Sequence, residues 1–355
     1  MNQPYVQLAY MTGILPISKY CSGSALNMFK EFTMVNQTRY SSYFGFSNQD
    51  VDELYARYLL KETKNPLVTR EGLKYWYNGY CTRSGERLYN PRSVVLALEN
   101  NNFDNYWTSS GPYDKIYYYI EQNVAAVRDD LALLVSGIKV PADIEEYAAT
   151  SMDVTTKEEI FSAMVVYGFL SYDAGNLYIP NKELMDKFVK LLQKEPKLDY
   201  VYRLATESGR MLQATLNGDT GTMAEILERA HNTEVPLLSY NKEVELTAIV
   251  NFVYLAARST YDIEREDKAG VGYVDFIFYP KTKRTADCII LELKVDATPE
   301  EAIQQIKDRK YALRFQGKLG DEPKYNGRIL AVGISYDKKE KKQSCVIEVM
   351  DRDAL

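Results

Sequence analysis

The sequence predicts an α+β protein in which a mostly helical N-terminal region precedes a C-terminal α/β sandwich. Three observations support this fold class. Apolar residues recur at helical spacing in much of the segment from about residue 47 to 145. Residues 240–355 show the order helix, three strands, helix, two strands, which is typical of an α/β sandwich. One of those strands, "CIILELKV", begins with four apolar residues and ends with Glu292 and Lys294 on one face.

Helix-start signals mark the N-terminal region. Ser47 is suited to cap a helix whose apolar stripe runs from Val51 to Tyr58. Asn90 and Pro91 fit the cap and the first position of a second helix. Tyrosines are abundant in "LKYWYNGY" and "NYWTSSGPY". Packing between helices is favoured for them over a base-stacking surface, which stays the alternative.

A different pattern follows in residues 155–180. A capped helix is predicted there, followed by two short strands around "DAGN". This order resembles the end of a winged-helix unit, which binds DNA in some proteins and serves as a lid or docking module in ATPases. The helix carries more acidic than basic residues, so docking is favoured. Amphipathic helices follow over 181–235, and "PLLSYN" is predicted as a linker.

The C-terminal elements are predicted from their local patterns. "NKEVELTAIVNFVYLAARST" predicts a helix with an apolar face, and "YDIEREDK" predicts a short strand. "GVGYVDFIFYPKT" and "ADCIILELKV" predict two strands that pair as a hairpin. In "TPEEAIQQIKDRKYALRF", Thr298 is the expected cap and Pro299 the first helical residue. "GRILAVGISYD" and "QSCVIEVM" predict the last two strands.

Composition narrows the chemistry. The 355 residues carry a net charge of −6, so overall charge does not indicate a nucleic-acid binder. His231 is the single histidine, so a histidine-rich metal site is excluded and a histidine-based triad would depend on this residue alone. Its place near a helix end predicts a solvated side chain. Hydrolytic chemistry would therefore depend on carboxylates, lysine and a hard metal ion.

Localisation is predicted from the cysteines and the apolar runs. The four cysteines are scattered without a CxxC pair, so we expect neither a disulfide framework nor a zinc site. There is no apolar run of membrane-spanning length and no secretion signal at the start. A cytoplasmic protein without membrane association is the expectation.

Acidic residues around the "ELK" strand suggest a site. Asp275 lies in the apolar strand before it, and Glu243 lies at the start of the preceding helix. If the two strands pair, Asp275 and Glu292 lie side by side, an arrangement that is unfavourable unless a cation neutralises the carboxylates. Mg²⁺ takes oxygen ligands of this kind, and Lys294 can orient a water or stabilise charge on a phosphate. The alternative is an ordinary Glu–Lys pair at a sheet edge, with Asp275 capping a turn.

The C-terminal region resembles the PD-(D/E)XK nuclease superfamily. The stretches that carry the resemblance are "YNKEVEL", "GYVDFIFYP", "IILELK", "EEAIQQIKDRKYA" and "ILAVGISYDKK". More narrowly, the chain resembles a bacterial family that couples an AAA-ATPase-like region to such a nuclease domain. Upstream, "MTGILPISKYCSGSALNMF", "WYNGY", "YNPRSVV" and "NYWTSSGPY" resemble the C-terminal part of that ATPase-like region.

The resemblance implies a fold, a metal and roles for individual residues. It implies a sandwich with a central mixed sheet, and Mg²⁺ or Mn²⁺ as cofactor. By this resemblance, Asp275, Glu292 and Glu243 hold the metal, and Lys294 is the catalytic lysine. Further candidates for the site wall or for nucleic-acid contact are Gln305, Tyr311 and Arg265. A surface glutamine and a packing tyrosine are the alternatives for Gln305 and Tyr311. Val274 stands where the superfamily name places a proline.

The resemblance also predicts a domain organisation. Residues 1–30 are expected to be a remnant strand segment of an ATPase-like core, residues 31–235 a helical and winged-helix-like lid region, and residues 236–355 the nuclease-like domain. The sequence contains no GxxxxGK[ST] phosphate loop, so ATP hydrolysis by this chain is not expected. A truncated chain, a split gene and a degraded copy are alternative explanations for the missing P-loop core of the ATPase-like region.

Two functions follow as hypotheses. The first is a metal-dependent nuclease that hydrolyses DNA phosphodiester bonds through carboxylate-bound Mg²⁺ and an activating lysine. The second is a non-catalytic module that binds nucleic acid or a protein partner. Expected partners are DNA, and also a separate P-loop ATPase or a second copy of the chain.

Overall fold

Helices and strands both occur in the protein. The computed structural model describes residues 32–35, 38–61, 65–109, 118, 120–121, 123–144, 156–232, 243–269, 272–281, 285–311 and 327–350. The predicted remnant strand within residues 1–30 and the predicted linker lie outside these ranges. Among the helices within these ranges, none has the length and apolar character that a membrane crossing requires. The chain divides into two compact units. The first comprises Met1–Asp130 and Lys139–Lys187, and the second comprises Leu131–Ile138 and Phe188–Leu355.

The first unit begins with three helices and a two-stranded antiparallel sheet. These elements are α1 (Asn48–Lys61), α2 (Arg70–Tyr77), β1 (Asn78–Cys81), β2 (Arg87–Tyr89) and α3 (Pro91–Asn100). Both predicted helix starts are confirmed. The Asp50 amide donates to the Ser47 hydroxyl at 3.2 Å before the first turn of α1, and the Asn90 side chain accepts from the Ser93 amide at the start of α3. Each cap satisfies an amide that the helix itself leaves unpaired.

Several tyrosines of this unit lie in its core. Tyr77 and Tyr89 are fully buried with Val51 and Leu73, and Tyr80 is also buried. The Tyr77 hydroxyl donates to the Asp104 carbonyl at 2.9 Å, so its polar end is satisfied without water. For these three tyrosines, burial supports packing rather than a base-stacking surface.

The second part of this unit contains the predicted helix and hairpin. Its elements are α4 (Val124–Val135), which continues beyond this unit, β3 (Val140–Pro141), α5 (Lys157–Val166), β4 (Ser171–Asp173) and β5 (Asn176–Tyr178). The strands form an antiparallel sheet in the order β3-β5-β4. Thr156 and Glu159 form a reciprocal capping box at the start of α5. A capped helix followed by a hairpin is therefore present, and its winged-helix character stays a prediction.

Helices and a five-stranded mixed sheet make up the second unit. The helices are α6 (Lys182–Leu192), which begins in the first unit, α7 (Tyr200–Asn217), α8 (Thr220–Asn232), α9 (Glu243–Val253) and α10 (Pro299–Asp308). The strands are β6 (Tyr261–Ala269), β7 (Gly272–Pro280), β8 (Cys288–Val295), β9 (Ile329–Asp337) and β10 (Lys342–Met350). The predicted order of helix, three strands, helix and two strands is confirmed, although β6 is longer than the short strand expected.

The sheet order is β10-β9-β8-β7-β6, and only one of its neighbouring pairs is parallel. Strands β8 and β9 run in the same direction, so the chain must cross over between them, and α10 lies in this crossover. The ends of β8 and β9 that follow their apolar centres therefore lie beside each other, next to the start of α10.

Each face of this sheet packs against helices. On one face, Ile277, Ile290 and Ala331 lie in register across three strands and pack with Ile303 and Ile306 of α10. On the other face, the Phe278 ring lies 5.2 Å from the Tyr254 ring, and the Tyr254 hydroxyl bonds to that of Thr215 in α7. Because side chains alternate along a strand, Glu292 and Lys294 share the α10 face with Ile290.

Candidate functional site

Asp275 and Glu292 lie at the end of the hairpin formed by β7 and β8. The ladder pairs Phe276 with Leu291 and stops there, one residue before Asp275 would lie opposite Glu292. Beyond this point the Leu293 amide donates to Asp275 Oδ2 at 2.8 Å. A side-chain oxygen thus takes a strand amide, and both carboxylates belong to the face covered by α10. The predicted neighbouring arrangement of the two residues matches this register.

Glu292 is the most deeply buried acid of the site. Its residue is 3% exposed, and its Oε1 accepts from Lys294 Nζ at 3.3 Å and from Gln305 Nε2. Its Oε2 is buried, and no described donor meets hydrogen-bond geometry with it, although the Asp275 amide lies near enough to the carboxyl to favour its charged form. An unpartnered carboxylate oxygen in this environment is unfavourable, because the oxygen has lost water without gaining a donor.

The burial of Glu292 changes its protonation. Loss of solvent raises the pKa of this carboxyl to about 7, and the negative charge of Asp275 adds to the increase. The ammonium group of Lys294 acts in the opposite direction but does not offset the other two causes. Without a bound cation, the Glu292 carboxyl is therefore partly protonated near neutral pH.

Helix α10 brings a second set of side chains to the site. Thr298 caps the helix in a reciprocal box with Glu301, and Pro299 is the first helical residue, as predicted. Gln305, two turns later, donates to Glu292. It is therefore a site contact rather than only a surface glutamine. Arg309 ends the helix and donates through Nη1 to the Tyr311 hydroxyl at 3.2 Å.

Gly333 determines how closely α10 approaches the carboxylates. This residue of β9 is paired with Glu292. A Cβ at Gly333 would lie 2.1 Å from the Pro299 carbonyl oxygen and 3.2 Å from Ala302 Cβ. The first contact is with backbone and cannot be relieved by rotating a side chain, so glycine is required for α10 to lie on the sheet at this distance.

We expect Gly333→Ala to lower the free energy of unfolding by about 2 kcal/mol, the usual range for overpacking a core. The added methyl group would push the first turn of α10 away from β9 and weaken the contact between Gln305 and Glu292. Urea unfolding followed by circular dichroism measures the change. Gly209→Ala in α7 is the matched control, because its Cβ meets no atom within 4 Å and a helix favours alanine over glycine. Equal stability of the two variants would contradict the role of Gly333.

The remaining predicted residues occupy different positions. Glu243 is the first residue of α9, and Arg265 lies in β6 paired with Phe276. The side chains of both lie outside the described part of the structure. The Tyr311 ring is fully buried with the core residues of α10, so packing describes it better than an exposed nucleic-acid contact. Its hydroxyl accepts from Arg309.

His231 lies away from the carboxylates. It is in the last turn of α8, where its Nε2 bonds the Tyr336 hydroxyl at 3.1 Å and its ring lies 4.6 Å from the Tyr336 ring. The expectation of a solvated histidine is therefore wrong. Tyr336 is paired with Val295, so it belongs to the sheet face opposite Glu292 and Lys294. The single histidine of the chain takes no part in this site.

Sequence reasoning missed two residues beside the carboxylates. Ser335 of β9 is buried and is paired with Lys294 in the parallel register. No local signal identifies it, because the pairing depends on the crossover between β8 and β9. Arg309 follows Gln305 by four residues on α10. The sequence does identify Arg309, because side chains four residues apart lie on the same face of a helix and Gln305 is already a candidate.

The two carboxylates fit a hard divalent cation. Oxygen donors suit Mg²⁺ and Mn²⁺, and Mg²⁺ commonly uses one or two carboxylates while keeping several waters. The unpartnered Oε2 of Glu292 and the adjacent charge of Asp275 are both explained if a cation binds there. Among the described side chains, no group of three histidine, cysteine, aspartate or glutamate residues lies close enough to hold a metal. The fit therefore rests on the two carboxylates alone.

Comparison with known proteins locates a family in the same region. Residues 243–344 match the sequence profile described as "PD-(D/E)XK nuclease superfamily". The chain is also similar to a protein of Azotobacter chroococcum mcd 1 named "Uncharacterized protein in vnfD 5'region", with 32% identity over 110 residues. That alignment covers 31% of this chain and 20% of the relative. No solved structure matches the chain.

The matched segment contains every element that positions the site. It begins at Glu243 with α9 and extends into β10. The five-stranded mixed sheet is consistent with the fold of that superfamily. Residues 243–344 are thus a domain of the PD-(D/E)XK nuclease superfamily.

Proposed function

We propose that the protein is a metal-dependent nuclease that hydrolyses phosphodiester bonds of DNA. The observation that carries the proposal is the buried Glu292 carboxylate, whose Oε2 lacks a partner among the described residues while Asp275 and Lys294 lie beside it. A structural Glu–Lys pair would explain the contact of Oε1 but not the second carboxylate or the unpartnered oxygen. The nuclease superfamily match of the same segment supports the same conclusion.

Each residue has a specific role in the proposed site. Asp275 and Glu292 hold a divalent ion, Mg²⁺ or Mn²⁺, and Glu243 supports a second ion or a water from the start of α9. When bound, the ion supplies Lewis-acid stabilisation of the phosphate charge and lowers the pKa of water. Lys294 orients the attacking water and stabilises negative charge as it develops on the phosphate. Gln305 fixes the Glu292 carboxylate through Oε1.

Lys294 is placed to act on both the acid and the substrate. Its Nζ lies 3.3 Å from Glu292 Oε1, which fixes its position, and its side chain is 21% exposed. A wholly buried lysine would not reach a phosphate, and a fully exposed one would lose much of its electrostatic effect to water. The only histidine of the chain lies on the other sheet face, so it does not replace Lys294.

We expect the protein to cleave DNA only when a divalent ion is present. Supercoiled plasmid and circular single-stranded DNA are incubated with the full chain in Mg²⁺, in Mn²⁺ and in EDTA, and products are separated on gels. Nicking in either metal with none in EDTA supports the proposal. No cleavage of either DNA in both metals, by folded protein, would overturn it.

The alternative function is a non-catalytic module that binds nucleic acid or a protein. The net charge of −6 favours the protein-binding form of this module, because a general DNA-binding surface is usually basic. Under this alternative, DNA is not cut, whether or not it is bound, and metal has no effect on the DNA. The same assay with a gel-shift measurement distinguishes the two functions.

The remaining proposals concern the region before the nuclease domain. We infer that residues 31–235 form a docking or lid region of an AAA-ATPase-like protein, with a winged-helix-like unit. The capped helix α5 and the β4–β5 hairpin support this inference. The proposed partners are a separate P-loop ATPase or a second copy of this chain.

The free thiols of Cys81, Cys288 and Cys345 fit the reducing cytoplasm that we propose as the location of the protein.

A further inference from the structure

Arg309 lies one helical turn beyond Gln305, which contacts Glu292, but the proposed chemistry does not explain it. It is the residue that ends α10, and its amide donates to the Gln305 carbonyl at 3.1 Å. Gln305, four residues earlier, contacts Glu292 through its side chain. Because positions four apart lie on one helix face, Arg309 continues the row that begins with Gln305 at the site.

Within the described ranges, a hydroxyl and not a carboxylate anchors the guanidinium of Arg309. Its Nη1 donates to the Tyr311 hydroxyl at 3.2 Å, and the Tyr311 ring is fully buried, so the anchor is rigid. In the described part of the chain, no carboxylate forms an ion pair with Arg309. The neighbouring Lys307 on the same helix is paired with Glu348. Among the contacts that the structure describes, Arg309 is therefore a cation held through one guanidinium nitrogen, Nη1.

The electrostatics agree with this position. The hydrogen bond to Tyr311 is the largest influence that raises the pKa of Arg309, and the negative charge of Glu292 contributes in the same direction. Glu292 thus acts on Arg309 through space. A guanidinium suits a phosphate better than an ammonium does, because its planar donors match two phosphate oxygens at once.

We propose that Arg309 binds a backbone phosphate of the nucleic acid next to the phosphate that is cut, and that Tyr311 holds the guanidinium for this contact. The inference rests on the proposed function, because it assigns Arg309 to the same substrate. It adds a binding contact that needs no metal ion, so DNA is already held when the carboxylates are empty. A phosphate contact carries no sequence information, so we expect it to act on any DNA sequence.

The test measures DNA binding in EDTA, where cleavage does not interfere. Fluorescence anisotropy of labelled single-stranded and duplex oligonucleotides gives Kd at several salt concentrations. We expect Arg309→Gln to weaken binding by about tenfold, as for loss of one charge-assisted hydrogen bond. The plot of the logarithm of the association constant against the logarithm of salt concentration has a negative slope. Loss of one phosphate contact should make this slope shallower by about 0.7 for single strands and about 0.9 for duplex DNA. Arg309→Lys should retain the slope with a smaller loss of affinity.

Two controls separate a specific contact from other effects. Lys307→Gln removes the same charge from the same helix but breaks a pair with Glu348, so we expect less than a twofold change in Kd. Tyr311→Phe keeps the ring in the core and removes only the hydroxyl that anchors Arg309. Tyr311→Phe should weaken DNA binding when Arg309 is present and have no further effect when it is combined with Arg309→Gln. Circular dichroism melting confirms that each variant is folded.

The outcomes distinguish this inference from the proposed function. If the wild type binds and cuts DNA while Arg309→Gln binds equally well, the inference is wrong and the nuclease proposal stands. If the wild type binds DNA without cutting it and Arg309→Gln weakens binding, the phosphate contact stands and the nuclease proposal falls. Absence of DNA binding by the wild type in EDTA overturns the phosphate contact, and the cleavage assay with metal then decides the nuclease proposal separately. If Lys307→Gln and Arg309→Gln lose the same DNA-binding affinity, the effect comes from net charge and the specific phosphate contact is overturned.

Discussion

Replacement of Lys294 by methionine is expected to reduce the rate of DNA cleavage by about 10³-fold, within the range found for loss of a proton-transfer or charge-stabilising group. Methionine keeps a similar length and apolar stem, so packing at the end of β8 changes little. What is lost is the ammonium group that lies 3.3 Å from Glu292 Oε1. The measurement is a single-turnover cleavage rate at saturating Mg²⁺.

The reason for so large an effect is that, among the side chains that the structure describes, Lys294 alone brings a positive charge into contact with Glu292. The single histidine is bound to Tyr336 on the opposite face of the sheet. Gln305 contacts the same oxygen of Glu292, but an amide carries no charge to stabilise a phosphate oxygen. Lys307→Met is the matched control, because this lysine is paired with Glu348. The substitution should leave the cleavage rate within twofold of wild type.

Asp275→Asn separates metal binding from the role of the lysine. Asparagine keeps an oxygen that accepts from the Leu293 amide, so the hairpin end is preserved while the charge is removed. We expect this variant to lose both cleavage and Mn²⁺ binding by calorimetry, whereas Lys294→Met at pH 8 should lose cleavage and retain Mn²⁺ binding. If Lys294→Met cuts DNA at the wild-type rate, the assignment of the catalytic lysine is wrong.

Local sequence pattern was sufficient for those parts of the site that lie on one hairpin. Asp275 and Glu292 were predicted as neighbours from two adjacent strand patterns, and antiparallel pairing leaves few choices of register. Thr298 and Pro299 predicted the start of α10 because helix capping depends on residues close in sequence. The superfamily resemblance added Gln305, whose contact with Glu292 depends on how the helix packs.

Residues brought in by long-range pairing could not be predicted in the same way. Gly333 and Ser335 reach the site only because β9 lies parallel to β8 after a crossover. The contact between His231 and Tyr336 joins residues 105 positions apart, and nothing in "ILERAHN" indicates it. The helices α7 and α8 also belong to the same compact unit as the sheet, whereas the linker-like stretch "PLLSYN" predicts a boundary near residue 236. The domain boundaries stay a prediction.

Glu292→Gln is expected to stabilise the metal-free protein at high pH, although it removes a residue of the proposed site. Burial raises the pKa of the Glu292 carboxyl from 4.5 to about 7, so the folded protein holds this proton more tightly than the unfolded chain does. The free energy of unfolding therefore decreases as pH rises from about 4.5 through about 7, and then levels off. For a shift of this size the total loss is roughly 3 kcal/mol.

Glutamine imitates the protonated carboxyl at every pH. It keeps an oxygen for Lys294 and for Gln305, so the contacts at Oε1 are preserved. The variant and the wild type should therefore be about equally stable near pH 4.5, and the variant should be more stable by up to roughly 3 kcal/mol at pH 8. Urea unfolding in EDTA across this range measures the difference, and the comparison cancels the titration of all other groups.

Asp287→Asn is a control in which the pH dependence of stability has the opposite sign. Asp287 immediately precedes β8, the strand that carries Glu292. The hydrogen bond from Arg328 lowers the pKa of Asp287, so its contribution to stability is present at neutral pH and decreases as pH falls. The Asp287 variant should therefore be less stable than wild type at pH 8, with a deficit that shrinks in acid. Equal pH slopes for wild type and Glu292→Gln would show that folding does not raise the pKa of Glu292.

Addition of Mn²⁺ connects this stability difference to the proposed site. A cation that binds the ionised carboxylates of Asp275 and Glu292 stabilises the folded state by an amount that grows with the logarithm of its concentration relative to Kd. At pH 8, Mn²⁺ should therefore raise the stability of the wild type and remove most of the advantage of Glu292→Gln, which lacks one charged ligand. If Mn²⁺ stabilises both proteins equally, the ion binds elsewhere, and the burial of Glu292 beside Asp275 needs an explanation other than a metal site.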